Sequence, residues 1–390
     1  MTSFSRTSDR TASFTESVIR EMTRLALKYD AINLAQGFPD FPAPDAVKAA
    51  ACAAISGDVN QYSVTWGSES LRSAIADKYW STYNLRVDPE TDLCVTCGST
   101  EAMLASLLGL VDPGDEVIIF EPFYENYFPD AKIAGAVPRY VALYPPDWRF
   151  REEELSAAFS NRTRVIIINS PNNPTGRVFT PDELSLISRL CTKYGVIACS
   201  DEIYEHIVYD GARHVPVASV PGMEDRTVTI SSLSKTYSVT GWRVGWAMAP
   251  AELMSAIRKV HDFITVGAPA PLQEAGVVAL QLPDAYYAGL VDDYTVRREV
   301  LVSALSEAGL SPMRPEGAYY IIADIGGMAV GNDGEVARVL VRSCGVAAVP
   351  GSSFFATREA GSQYLRFAFS KRRDTLVEAG GRLQNWALVR

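Results

Sequence analysis

From about residue 45 to about residue 280, short β-rich apolar runs alternate with segments whose apolar residues recur at helical spacing. Val117 to Phe120, Val165 to Ile168, Val196 to Cys199, Val228 to Ile230 and Val244 to Met248 are runs of this kind. Unbroken apolar strands are buried on both faces, the condition of a mostly parallel sheet covered by helices. Between two of them Thr180 predicts an N-cap, Pro181 the first helical position, Glu183 a capping box and Gly195 the stop. Strand, helix and strand in succession predict an α/β fold.

The pattern differs on either side of this region. At the N-terminal end a flexible arm is predicted to lead into one amphipathic helix, with Val18, Ile19, Met22, Leu25 and Ala26 on its apolar face. INLAQGFPDFPAPDAV follows, where three prolines and Gly37 enforce an extended loop. From residue 284 a long helical stretch gives way to mixed strands and helices, a smaller α+β unit. The expected division is residues 1–44 as an arm and helix packing on the small domain, 45–283 as the large domain and 284–390 as the small one.

Ligands of open α/β sheets collect beyond the carboxyl ends of the strands. Four polar clusters fall there: GSTEAM after LCVTC, SPNNPTG after VIIIN, DEIYE after VIACS, and SLSK after TVTIS. The glycine and hydroxyl residues of GSTEAM open a helix, aiming free N–H groups at an anion. In SSLSKTYSVTGWRVGW one lysine, Lys235, stands among hydroxyls, and Arg243 follows eight residues on. A desolvated lysine can attack a carbonyl, while hydroxyls with an arginine suit a phosphate. Together they point to a phosphorylated aldehyde, for which pyridoxal 5′-phosphate is the candidate.

Composition narrows the alternatives. The chain has 390 residues, 47% of them hydrophobic, and a formal charge of −10, which argues against nucleic-acid or anionic-membrane partners. No apolar run reaches the length of a membrane span and MTSFSRTSDRTASF has no signal core, so a cytoplasmic location is expected. Six scattered cysteines make a disulfide framework improbable. Cys94 and Cys97 form a single CxxC with no second pair, and His206, His214 and His261 show no ligand spacing, so no metal is expected.

With NLAQGFPDF, NQYSVTWG, GSTEAM, PGDEVIIFEPFYENY, SPNNPTG, SDEIYE, SLSKTYSVTGWRVG, GAYY and YLRFAFS in order, nearly the whole chain resembles the class I/II pyridoxal-phosphate aminotransferases of fold type I. It looks most like their kynurenine, glutamine and methionine subgroup. The resemblance implies that Lys235 forms the Schiff base and shuttles a proton, and that Asp201 holds the pyridine nitrogen protonated. It also implies that Asn173 and Tyr204 bond the phenolic oxygen and that Tyr124 stacks on the ring. Ser99, Thr100, Ser232 and Arg243 would hold the phosphate, joined by Tyr62 from the partner of a homodimer. Arg366 and the backbone of Gly37 would take the substrate's α-carboxylate, and Asn173 would also contact the substrate. Ile19, Val266 and Gly267 stand where some relatives carry aromatics or a histidine, so side-chain specificity does not transfer.

The implied activity is ping-pong transfer of an amino group from an L-amino acid to a 2-oxo acid. β- or γ-elimination or replacement on the same scaffold shares every step up to the carbanion and stays open. A ligand-sensing domain of a transcription regulator would need a DNA-binding module, for which the N-terminal arm is too short and not basic.

Overall fold

A computed structural model of the chain describes residues 8–12, 14–326 and 332–388. The flexible arm expected at the N-terminus falls partly outside them, in residues 1–7. Within the described part, Asp9–Ala12 is a short helix where an irregular arm was expected.

The apolar runs form a seven-stranded sheet in the spatial order Leu93–Thr96, Gly245–Met248, Thr227–Ser232, Ile197–Asp201, Thr163–Asn169, Glu116–Glu121 and Val137–Ala142. Gly245–Met248 is antiparallel to both its neighbours and every other pairing is parallel. A parallel neighbour needs a crossover of a dozen or more residues, usually through a helix. The chain instead turns back from Ser232 to Gly245 through a short irregular segment and one 3₁₀ turn at Thr240–Trp242. That return runs over the carboxyl edge of the sheet and carries Lys235 and Arg243.

Helices cover both faces. Ile119, Val165, Val228 and Ile230 pack with Met103, Leu107 and Ile257 on one side, and Ile118, Ile166 and Ile168 pack with Leu184, Ile187 and Leu190 on the other. The helix Pro181–Tyr194 has the capping box between Thr180 and Glu183, and Gly195 ends it in the left-handed conformation.

A second sheet of four strands orders Val349–Pro350, Tyr364–Ala368, Tyr320–Asp324 and Ser311–Met313, all antiparallel. Its core joins Leu301, Leu305, Ile321, Phe367 and Leu383 to Ile19, Met22 and Ala26 of the helix Val18–Lys28. A two-stranded parallel pair, Ile32–Asn33 with Val346–Ala347, ties the proline-rich loop to the same region. Within the small unit a helix spans Asp333–Val339 and then loosens into a π turn at Leu340–Cys344.

Candidate active site

Four strand ends and the proline-rich loop converge on a cavity of about 440 Å³, within the range of small-molecule sites. Gly37, Ser99, Thr100, Tyr124, Asn173, Asp201, Tyr204, Lys235, Arg243 and Arg366 line it. Two expected residues do not. Ser232 is buried at the end of its strand, where its Oγ accepts the Ser234 N–H at 3.1 Å. Ser234, two residues on, lines the cavity instead, and its buried Oγ has no hydrogen-bond partner among the described residues. Tyr62 lies outside the cavity and is 87% exposed.

Lys235 reaches Gly37 O at 3.5 Å and lies over the rings of Tyr204 and Tyr319. Burial pushes its amine below the usual lysine range, against the opposing influence of Tyr320 and Asp201. Asp201 is the last residue of Ile197–Asp201 and is buried. Burial raises its carboxyl to about 6, although the Tyr127 hydroxyl donates to Oδ2 at 2.7 Å and the Ile203 N–H also favours the charged form. The other two acids of DEIYE face away: Glu202 accepts from the Val217 N–H and meets His214, and Glu205 pairs with Lys78. Only Asp201 of the three lines the cavity.

Asn173 and Arg366 form one unit. Arg366 Nη1 donates to Asn173 Oδ1 at 2.8 Å and Nη2 donates to Ala35 O at 2.6 Å. The guanidinium is 1% exposed, packs over the rings of Tyr320 and Phe354, and leaves Nε without a partner. Asn173 is itself set by its N–H donating to Asn169 Oδ1 at 2.7 Å, while Asn169 Nδ2 donates to Asp201 O at 2.9 Å. Asn169 thereby locks the SPNNPTG turn to the neighbouring strand end.

The helix Ser99–Leu110 begins at Gly98, whose φ of +81° would strain another residue. A β-carbon there would also lie 2.6 Å from Arg243 Cζ, so glycine lets the arginine lie against the helix start. Arg243 Nη2 donates to Cys97 O at 3.2 Å. Free N–H groups of the first helical turn, the Ser99 and Thr100 hydroxyls and this cation together make an anion cradle.

Tyr127, Tyr320 and Ser234 are among the lining residues that were given no role from the sequence. Tyr127 follows Tyr124 by three positions and bonds Asp201. Tyr320, the second tyrosine of GAYY, has its hydroxyl 3.0 Å from that of Tyr204. Ser234 adjoins Lys235. Spacing in the motifs was the available signal, but which hydroxyl faces inward depends on the turn.

The donor set fits pyridoxal phosphate on this structure's own terms: an amine of lowered basicity, a buried acid, an unsatisfied Ser234 hydroxyl and a helix start packed on an arginine. Among the described residues no group of three or more His, Cys, Asp or Glu is placed to hold a metal ion.

The family model for aminotransferase class I and II matches residues 29–382. The probable N-succinyldiaminopimelate aminotransferase of Mycobacterium tuberculosis is 41% identical over 97% of this chain and 98% of its own length. The methionine aminotransferase of Escherichia coli is 36% identical over 94% and 95%. The solved structure of the Mycobacterium tuberculosis N-succinyldiaminopimelate aminotransferase superposes with a TM-score of 0.94, covering 97% of this chain and 99% of that one. The chain belongs to the class I and II aminotransferases and is a pyridoxal-phosphate-dependent transaminase.

Proposed function

We propose that the protein moves an amino group from an L-amino acid to a 2-oxo acid in two half-reactions at one site, with Lys235 as the attaching amine and the proton carrier. The observation that carries this reading is the link between Lys235 and Arg366. Lys235 Nζ lies 3.5 Å from Gly37 O, and Arg366 Nη2 donates to Ala35 O two residues earlier in the same loop. A carboxylate held by the guanidinium fork therefore brings its α-carbon toward the lysine.

The cofactor supplies a conjugated ring that accepts the electron pair left when the α-proton departs. Asp201 Oδ2, steadied by Tyr127, would face the ring nitrogen and favour its protonated state. Tyr204 and Asn173 would donate to the phenolic oxygen, with Tyr124 against the ring face. Ser99, Thr100, Ser234 and Arg243 would hold the phosphate, with Ser232 supporting the turn from behind. Lys235 Nζ, its basicity lowered, takes the α-proton and returns it on the far side of the transfer.

The reading includes a homodimer. Phe263 is 93% exposed and Tyr62 87%, and Val64, Ile264 and Val266 are exposed with them. The two segments adjoin, because His261 bonds Thr65 O. An exposed apolar surface of this kind supports an interaction site, with Tyr62 part of it. The same reading divides the chain into a large domain of residues 45–283 and a small one of 284–390, with the N-terminal segment on the latter. The shared core of Ile19, Met22 and Ala26 with Leu301 and Leu383 supports that division.

The two named relatives are, by their names, aminotransferases of N-succinyldiaminopimelate and methionine. What these donors share is the α-amino acid portion, and that portion alone is assigned here. The test is a half-reaction: holoenzyme mixed with one amino acid, without acceptor, should convert stoichiometrically to the pyridoxamine form and yield one equivalent of oxo acid. Continuous ammonia release with the cofactor's spectrum unchanged would instead indicate elimination. Borohydride should fix the cofactor to Lys235, and full turnover by Lys235→Ala would remove the mechanism.

A further inference from the structure

Behind the anion cradle, and lining no part of the cavity, lies a buried charged pair. His261, in the last turn of the helix Ala251–Ile264, is 0% exposed. Its Nδ1 lies 2.7 Å from Glu101 Oε1 and its Nε2 lies 2.7 Å from Thr65 O. A carboxylate and a carbonyl can only accept, so both ring nitrogens must donate and the ring is an imidazolium. Burial opposes that charge, but the hydrogen bond and charge of Glu101, the Thr65 carbonyl and the charge of Asp262 raise the ring's pKa. The position near a helix carboxyl end adds to this.

Glu101 spends its other bonds on the two segments that flank it. Oε2 accepts the Cys97 N–H at 2.5 Å, immediately before Gly98 and the cradle, and Oε1 also accepts the Thr265 hydroxyl. Val266 follows at φ +68°, which a β-branched residue rarely adopts. That strain is held between the Thr265 bond and the Cys97 Sγ contact with Gly267 O at 3.6 Å. Three pieces of chain are therefore pinned to one ion pair: the turn Cys97–Thr100, the loop that runs from Tyr62 to Gly67, and the segment Thr265–Gly267.

We propose that Glu101 and His261 are positioning residues for the cofactor's phosphate, fixing the Cys97–Thr100 cradle of one subunit and the Tyr62 loop that serves its partner. The inference rests on the assignment of Ser99, Thr100 and Tyr62 to the phosphate. Neither side chain touches the cavity, so the effect passes through the backbone at Cys97 and Thr65.

Removing one partner leaves the other's buried polar group unsatisfied, which costs enough to loosen a turn without unfolding the sheet. The experiment compares cofactor binding to apoprotein, followed by absorbance, for pyridoxal phosphate and for pyridoxal, which lacks the phosphate. Inorganic phosphate serves as a competitor, and the wild type is set beside Glu101→Gln and His261→Gln. The dissociation constant for pyridoxal phosphate should rise about tenfold in both variants, and inorganic phosphate should compete correspondingly less well. Pyridoxal should bind each variant within about twofold of the wild type. An equal loss for pyridoxal and its phosphate ester, or no loss for either, would overturn the proposal. Should one variant fail to fold, the other gives the same comparison. A wild type that shows no preference for the phosphate ester would overturn the underlying phosphate assignment instead, and the two failures are told apart by that control.

Discussion

The side chain of Tyr320 fills the space that a β-carbon on Gly37 would need, with Tyr320 Cζ 2.6 Å from that position. Gly37 O accepts the Tyr319 hydroxyl at 2.9 Å and lies near Lys235, so the loop cannot back away without losing both contacts. The absence of a side chain at residue 37 thus lets Tyr320 sit between Tyr204 and Arg366.

Gly37→Ala should therefore lower kcat/KM at least tenfold for every amino donor, by displacing Tyr320 from the guanidinium. Steady-state kinetics with donors of different side chains check this. The double variant Gly37→Ala with Tyr320→Ala should recover part of the loss, because the clash is gone. Additive losses would show that the two residues do not communicate.

Asp201 carries a pH prediction for the cofactor-free protein. Its carboxyl is raised from 3.8 to about 6 by burial, so the folded chain keeps a proton that the unfolded chain has released between those values. Stability is fully present below about pH 4, falls as pH rises through about 6, and stays lower above it. At about 1.4 kcal/mol per tenfold in proton affinity, the deficit is about 3 kcal/mol. Asp201→Asn should accordingly make the apoprotein more stable than wild type at pH 7.5, by up to that amount, while abolishing turnover. Urea unfolding at pH 4.5 and 7.5 measures it, and the gap between the two proteins should narrow to about 1 kcal/mol at the lower pH.

Much of the sheet was legible because buried parallel strands are continuous apolar runs, and Val117 to Phe120 or Val165 to Ile168 admit few other readings. Val137–Ala142 was not, since it is an edge strand with alternating exposure and a proline within it. The strand pair Ile32–Asn33 with Val346–Ala347 is too short to leave a period. In the site, Lys235 and Asp201 announced themselves by type and by place at strand ends, while the roles of Tyr124 and Arg366 rested on resemblance. Ser232 was expected at the phosphate where Ser234 lines the cavity, because the direction each hydroxyl takes depends on how the chain leaves the strand. Tyr127 and Tyr320 matter through partners 74 and 116 residues away, a relation that no local spacing encodes.

Arg366→Lys should test the carboxylate reading more sharply than truncation. Arg366 binds Asn173 and Ala35 through its two Nη atoms and leaves Nε unpaired in a buried setting. A lysine keeps the charge but cannot reproduce a planar fork. KM should rise roughly 10- to 100-fold for all donors alike, with a smaller fall in kcat. A change confined to one donor would place Arg366 in side-chain selection.

The exposed apolar surface around Phe263, proposed above to meet a second copy, yields a prediction in which assembly and chemistry fail together. Phe263 projects from the last turn of Ala251–Ile264 almost wholly into solvent, two residues beyond the His261 that bonds Thr65 O in the Tyr62 loop. Within one chain such a ring stabilises nothing, and its burial against a second copy is worth about 2 kcal/mol for each subunit. Phe263→Asp replaces that gain with two carboxylates to desolvate across a two-fold axis, while leaving the folded subunit untouched because nothing packs on the ring. Sedimentation velocity at micromolar concentration should show the wild type as a dimer and Phe263→Asp as a monomer with unchanged thermal stability of the subunit core. The monomer should also hold pyridoxal phosphate more weakly, since each site would lose the partner's Tyr62. An active monomer with normal cofactor affinity would show that the site is complete within one chain and would take Tyr62 out of it.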